Sequence, residues 1–304
     1  MKTALFASLL SLFLGPALLA HETKEAGPDA VAAVTIPYGS NPAAAHQLRC
    51  DDATIYYEVY GTGKPLLLLH GGLFGYIDEF ADFIPELAQH YQVIAIATRG
   101  HGRSELGAQP LTYQLFARDA LAVLAAVTQE KACVLGFSDG AITTYAMALQ
   151  HPEHLERVIA IGGGPLGIAD SPTQQEIEEA KMLSGEGLAK AMPDFVAGRR
   201  KLMPQPERWD EFVDRLKALY LSPAYLDRDQ LRSVQVPFLL VQGEHDPYAS
   251  PETFLRLYRT FPLAQLAIVP GCGHLVLRDR QQLARELILH FLGKPDLHGA
   301  APKP

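Results

Sequence analysis

The stretch Ala132-Cys133-Val134-Leu135-Gly136-Phe137-Ser138-Asp139-Gly140-Ala141-Ile142-Thr143-Thr144-Tyr145-Ala146-Met147-Ala148-Leu149 decides the fold. Its first four residues form a short apolar run of strand type, and its last nine read as an amphipathic helix. Between them stands G-x-S-x-G. In a strand–turn–helix context that pattern puts a serine on a sharp, strained turn, with its hydroxyl clear of the sheet. Gly136 and Gly140 carry no β-carbons to clash at such a turn. The helix that follows aims its free N–H groups and the positive end of its dipole at the same point. Ser138 is therefore a candidate nucleophile. A glycine–serine turn without chemistry is the competing reading, and the rest of the chain bears on the choice.

Outward from this turn, strand and helix signals alternate. Residues 55–60, 65–69, 93–97, 158–161, 238–241 and 265–269 read as strands, and several are continuously apolar, as expected of strands buried on both faces. Residues 79–90, a run capped by Thr112 and ending near Val127, residues 251–260 and residues 279–292 read as helices. This rhythm predicts an α/β fold, a mostly parallel twisted sheet with helices on both faces. It breaks after Gly162-Gly163-Gly164-Pro165. Residues 166–230 carry helical patterns punctuated by prolines, with Trp209, Phe212, Val213, Leu216 and Tyr220 on one helical face. They are expected to form a helical cap between two core segments, 46–165 and 231–293. The aromatic stripe is expected to pack cap on core. Residues 294–304 read as a loose tail.

In a parallel sheet of this kind ligands bind beyond the carboxyl ends of the strands. Just past those ends stand His70-Gly71-Gly72-Leu73, Ser138, Gly243-Glu244-His245-Asp246 and Gly271-Cys272-Gly273-His274. A serine, an acid and a histidine thus emerge along one edge, in the order Ser138, Asp246, His274. A serine hydroxyl is a weak nucleophile and needs a base within reach. A histidine can take and return its proton, and a carboxylate can fix the imidazole tautomer and stabilise the imidazolium. Glu244 competes with Asp246 for the acid's place. His245 has no partner at metal-ligand spacing and reads as a solvated loop histidine. His101 reads as a turn-shaping residue, with a second acid/base role open to it, and His70 as a structural support of the loop that follows it. Cys272 is a second candidate nucleophile in a poorer context than Ser138.

Taken together, His70-Gly71, Arg99-Gly100-His101-Gly102-Arg103-Ser104, the elbow, Gly243-Glu244-His245-Asp246-Pro247 and Gly273-His274 make residues 46–293 resemble an α/β-hydrolase fold serine hydrolase. Gly136-Phe137-Ser138-Asp139-Gly140 with Ile142 is most similar to valacyclovir hydrolase-like and biphenyl hydrolase-like members. The resemblance implies Asp246, the residue before Pro247, as the triad acid. It implies the backbone N–H groups of Asp139 and Gly72 as the oxyanion hole, with Leu73 as the fallback donor. It also suggests Asp139 and Leu73 as substrate-binding residues, Asp139 by attracting an amine. Asp139 as a favourable charge in the first turn of the elbow helix is the stronger of its two readings. One departure is Ala97, where relatives carry an acid two residues before Arg99. It puts a local hydrogen bond in question.

The chain has 304 residues, 48% hydrophobic and 20% charged, enough for a large core. Residues 1–20 carry Lys2, an apolar run and Ala20, and read as a signal peptide too short to span a bilayer. No cysteine near the cut suggests a lipid anchor. Residues 21–45 read as a flexible leader. Loss of Lys2 moves the net charge from -8 to -9, so nucleic acid is not an expected partner. Cys50, Cys133 and Cys272 permit at most one bridge. The expectation is a secreted or periplasmic serine hydrolase of a small ester, thioester or lactone, needing no cofactor or metal. A carbon–carbon bond hydrolase, an aminopeptidase and a non-catalytic ligand-binding protein are the alternatives. Dehalogenases and epoxide hydrolases of this fold use an aspartate where Ser138 stands.

Overall fold

A computed structural model describes residues 36–164, 181–222 and 228–293. The expected signal peptide, most of the expected leader, the tail and residues 166–180 and 223–227 of the expected cap lie outside them. Eight strands form one sheet: β1 (Ala45–Cys50), β2 (Ala53–Tyr60), β3 (Lys64–Leu69), β4 (Tyr91–Ile96), β5 (Ala132–Phe137), β6 (Leu155–Ile161), β7 (Phe238–Gly243) and β8 (Ala264–Val269). Their spatial order is β1-β2-β4-β3-β5-β6-β7-β8. The pairings β1/β2 and β2/β4 are antiparallel, and all those from β4 to β8 are parallel. This is the mostly parallel α/β sheet that the alternating pattern predicts, in the form that the resemblance implies.

The period-two rule explains the two cores. On β3, Leu67 and Leu69 enter one apolar cluster while Leu66 and Leu68 enter the other, all four without solvent exposure. Each such leucine contributes about 1.5–3 kcal/mol by leaving water. The first cluster takes in α2 (Tyr113–Val127), α3 (Asp139–Gln150) and α8 (Pro251–Thr260), while α1 (Ile84–Leu87) and α10 (Gln281–Leu292) cover the second. The described cap consists of α4 (Gly185–Ala191), α5 (Pro193–Leu202) and α6 (Trp209–Leu221). The short α7 (Arg228–Ser233) leads back to β7, and α9 (Val276–Asp279) precedes α10. Trp209, Phe212, Val213 and Leu216 of α6 are buried in the first cluster.

Three expectations need correction. The helix expected over 79–90 is a 3-10 turn, Ile77–Phe80, followed by the four residues of α1. Pro85 lacks an N–H and its ring would clash with the carbonyl four residues back, so one continuous helix cannot form. The strand β1 is unannounced in the sequence because it is an edge strand of mixed composition, with three of its six residues exposed. The end of the expected flexible leader, residues 36–45, is fastened to the core. Fully buried Glu58 accepts hydrogen bonds from Gly39 N–H and Asn41 N–H, each at 2.8 Å, and from the hydroxyls of Tyr56 and Tyr60. A buried carboxylate needs such donors, and the leader supplies two of them.

Candidate active site

Four strand ends deliver the site. At the end of β5, Ser138 has φ 53° and ψ -118°, a left-handed backbone that costs a non-glycine residue on the order of 1–3 kcal/mol. Its N–H donates to the carbonyl of Ile161 on β6 at 2.8 Å. A β-carbon on Gly136 would lie 2.4 Å from the Gly140 carbonyl, and one on Gly140 would lie 2.1 Å from the Leu69 carbonyl. The two glycines are what allow strand, turn and helix to close this tightly.

Ser138 Oγ donates to His274 Nε2 at 2.9 Å, and His274 Nδ1 donates to Asp246 Oδ2 at 2.7 Å. A carboxylate only accepts, so Nδ1 carries the proton and Nε2 is left as the base toward Ser138. The Asp246 side chain has no exposed surface, and its other oxygen accepts from the Tyr248 N–H at 2.9 Å. The rings of Phe137 and Tyr248 hold the imidazole, at 5.1 and 4.8 Å between centroids. Glu244 turns away, accepting from the Gly271 N–H at 2.8 Å, and His245 is exposed beside it. The thiol of Cys272 is buried and pushed up by that burial, and the Cys50 and Cys133 thiols rise to about 11 and 12 for the same reason. All three cysteines are unpaired.

His70 underpins the loop after β3. Its Nδ1 donates to the Gly71 carbonyl at 2.7 Å and its Nε2 accepts from the Thr98 N–H at 3.0 Å. Burial lowers its pKa to about 4, so it stays neutral near pH 7. His101 packs beside it with rings 4.8 Å apart, bonded to Thr98 Oγ1. In this loop the N–H groups of Gly72 and, across the gap, of Asp139 have no hydrogen-bond partner among the described residues. The Leu73 N–H, the fallback donor, is already committed to the hydroxyl of Tyr220 at 3.1 Å, which removes it from that role.

Asp139 is the first residue of α3, so its charge lies in the first turn as expected, but its side chain caps no N–H and bonds elsewhere. Its carboxylate takes side-chain hydroxyls, from Tyr113 at 3.1 Å on Oδ1 and from Tyr220 at 3.0 Å on Oδ2. Burial raises its pKa to about 6, against the lowering by the two tyrosines. Glu79 is a further acid that the sequence did not single out. It accepts from the Gly71 N–H at 2.7 Å, and burial, opposed by that bond and by Arg199, raises it to about 7. Its folded pKa lies above the unfolded value, so the folded protein holds an extra proton between about pH 4.5 and 7. Stability therefore falls as pH rises through that window. In Glu79→Gln, which keeps an acceptor for Gly71, the drop in Tm between pH 5 and 8 will be smaller than in the wild type. Parallel melting curves would disprove this assignment.

Among the described residues, only His151, Glu153 and His154 bring ligand atoms close enough to share an ion, and all three are exposed. They follow the C-terminal end of α3, about 18 Å along that helix from the serine. No described helix is long and apolar enough to cross a membrane.

Comparison with known proteins places this geometry among relatives. The profile of the alpha/beta hydrolase family matches residues 66–286. A 2-hydroxy-6-oxononadienedioate/2-hydroxy-6-oxononatrienedioate hydrolase of Pseudomonas putida is 26% identical over 267 residues, spanning 79% of this chain and 92% of its own. A pimeloyl-acyl-carrier-protein methyl ester esterase of Aeromonas hydrophila is 26% identical over 266 residues, 79% of this chain and 100% of its own. The crystal structure of a carboxylesterase of Bacillus subtilis superposes with a TM-score of 0.66 at 23% identity, covering 83% of this chain and 92% of that one.

Proposed function

Because the chain belongs to the alpha/beta hydrolase family, we propose that it hydrolyses a small carboxylic ester, thioester or lactone through an acyl-enzyme at Ser138. The observation that carries this is the unbroken relay from Ser138 Oγ through His274 to Asp246, beside which the N–H groups of Gly72 and Asp139 have no partner among the described residues. As Oγ attacks the carbonyl carbon, its proton passes to His274 Nε2 and the carbonyl π electrons move onto oxygen. The Gly72 and Asp139 N–H groups hold that oxyanion, and each such donor is typically worth about 3 kcal/mol. Collapse breaks the bond to the leaving alcohol or thiol, which takes the proton from His274. A water then repeats the sequence on the acyl-enzyme, and the carboxylic acid leaves.

The similarity to the Pseudomonas putida hydrolase favours a second reading, cleavage of a carbon–carbon bond in a diketone at the same serine. A panel of 4-nitrophenyl esters of graded acyl length, lactones and a vinylogous diketone separates the two. Ester turnover and labelling of Ser138 by a fluorophosphonate are expected, with both lost in Ser138→Ala. Tight ligand binding with neither labelling nor turnover would make the chain a receptor. The proposal extends to an enzyme acting outside the cytoplasm, on the strength of Lys2 and the apolar residues 4–14 alone.

A further inference from the structure

The hydroxyl of Tyr220 stands where three parts of the protein meet. It belongs to the last turn of the cap helix α6. It accepts from the Leu73 N–H at 3.1 Å and donates to Asp139 Oδ2 at 3.0 Å. It also presses on Gly72, where a β-carbon would lie 2.3 Å from both the Tyr220 hydroxyl and Asp139 Oδ2. The loop 71–73 supplies one wall of the oxyanion hole, and the start of α3 at Asp139 supplies the other. A single cap side chain therefore bonds to both walls. Burial and the Asp139 charge hold the phenol far above its ordinary range, so it stays a donor.

We propose that Tyr220 is a positioning residue that fixes the spacing of the Gly72 and Asp139 N–H groups, so that oxyanion stabilisation depends on the cap being seated. The inference rests on the acyl-enzyme reading of Ser138. Its consequence is specific. The carbonyl of a bound ester needs the donors only weakly, whereas the tetrahedral oxyanion needs both at about 2.7–3.1 Å. Loss of the clamp falls on the transition state and spares ground-state binding. Tyr113 is the internal comparison. Its hydroxyl also donates to Asp139, yet among the described residues no hydrogen bond joins it to the loop 71–73.

The test uses the full chain with 4-nitrophenyl butyrate as substrate and phenylboronic acid as a probe whose serine adduct places an oxygen in the hole. Wild-type turnover, and its loss in Ser138→Ala, establishes the reading on which the inference depends. Tyr220→Phe keeps the ring and removes both hydrogen bonds. It is expected to lower kcat at least tenfold with KM changed less than threefold, and to weaken the boronic acid by a factor similar to the kcat loss. Tyr113→Phe is expected to keep at least a third of wild-type kcat. An unchanged kcat in Tyr220→Phe, a change confined to KM, or equal losses in the two variants would overturn the proposal while leaving the Ser138 reading intact. A Tyr220→Phe protein melting more than about 10 °C below the wild type would overturn it too, since the hydroxyl would then hold the fold.

Discussion

His274→Ala will lower kcat for a 4-nitrophenyl ester by about 10⁵–10⁶, and adding Ser138→Ala to it will cost almost nothing more. The serine and histidine act as one unit. Without the imidazole 2.9 Å from Oγ, the hydroxyl must lose its proton to water at a pH far below its own pKa. Without the hydroxyl, the imidazole has nothing to activate. Asp246→Asn should cost about 10⁴, because an amide presented to Nδ1 lets the ring keep its proton on the wrong nitrogen. Residual activity over water should survive in all three variants, since the Gly72 and Asp139 N–H groups are backbone and remain. Steady-state rates with matched melting curves check the series. A His274→Ala enzyme within tenfold of the wild type would remove the relay from the mechanism.

The fold was legible because its decisive signals are local. Leu66 to Leu69 announce a strand buried on both faces, and Gly136 and Gly140 announce a turn that tolerates no β-carbon. Ser138, Asp246 and His274 were legible because each follows such a strand, and a parallel sheet gathers strand ends without further information. Tyr220 was visible only as the last member of an apolar stripe. Its polar tip meets Leu73 and Asp139, 147 and 81 residues away in sequence, through contacts that no local pattern encodes. Tyr113 and Glu79 were hidden for the same reason: each looks like one more residue of a helical segment. Leu73 fails only as the fallback oxyanion donor, because the sequence could not show that a cap hydroxyl had already taken its N–H.

Arg99 supplies the largest expected loss of stability. Its guanidinium has no exposed surface and forms a fork with Asp119 on α2, Nε to Oδ2 at 2.5 Å and Nη2 to Oδ1 at 3.0 Å. It also bonds to Asp52 in the β1–β2 turn and to the Cys50 carbonyl at 2.9 Å. Arg99 is thus held by two acids from other parts of the chain, which tie α2 and the antiparallel edge of the sheet to the end of β4. In Arg99→Ala the Asp119 carboxylate, already pushed up by its burial, loses the cation that keeps it charged inside the protein. Removing one partner of a buried pair typically costs about 3–5 kcal/mol, which for a chain of this size is roughly a 10 °C fall in Tm. Asp52 should suffer less, since it is partly exposed and keeps the Gln109 N–H at 3.0 Å. The penalty comes mainly from the stranded charge, so Arg99→Met with Asp119→Leu should melt above Arg99→Ala. A double variant no more stable than the single one would mean that the fork's value lies in the geometry it imposes on the sheet edge, not in neutralising Asp119.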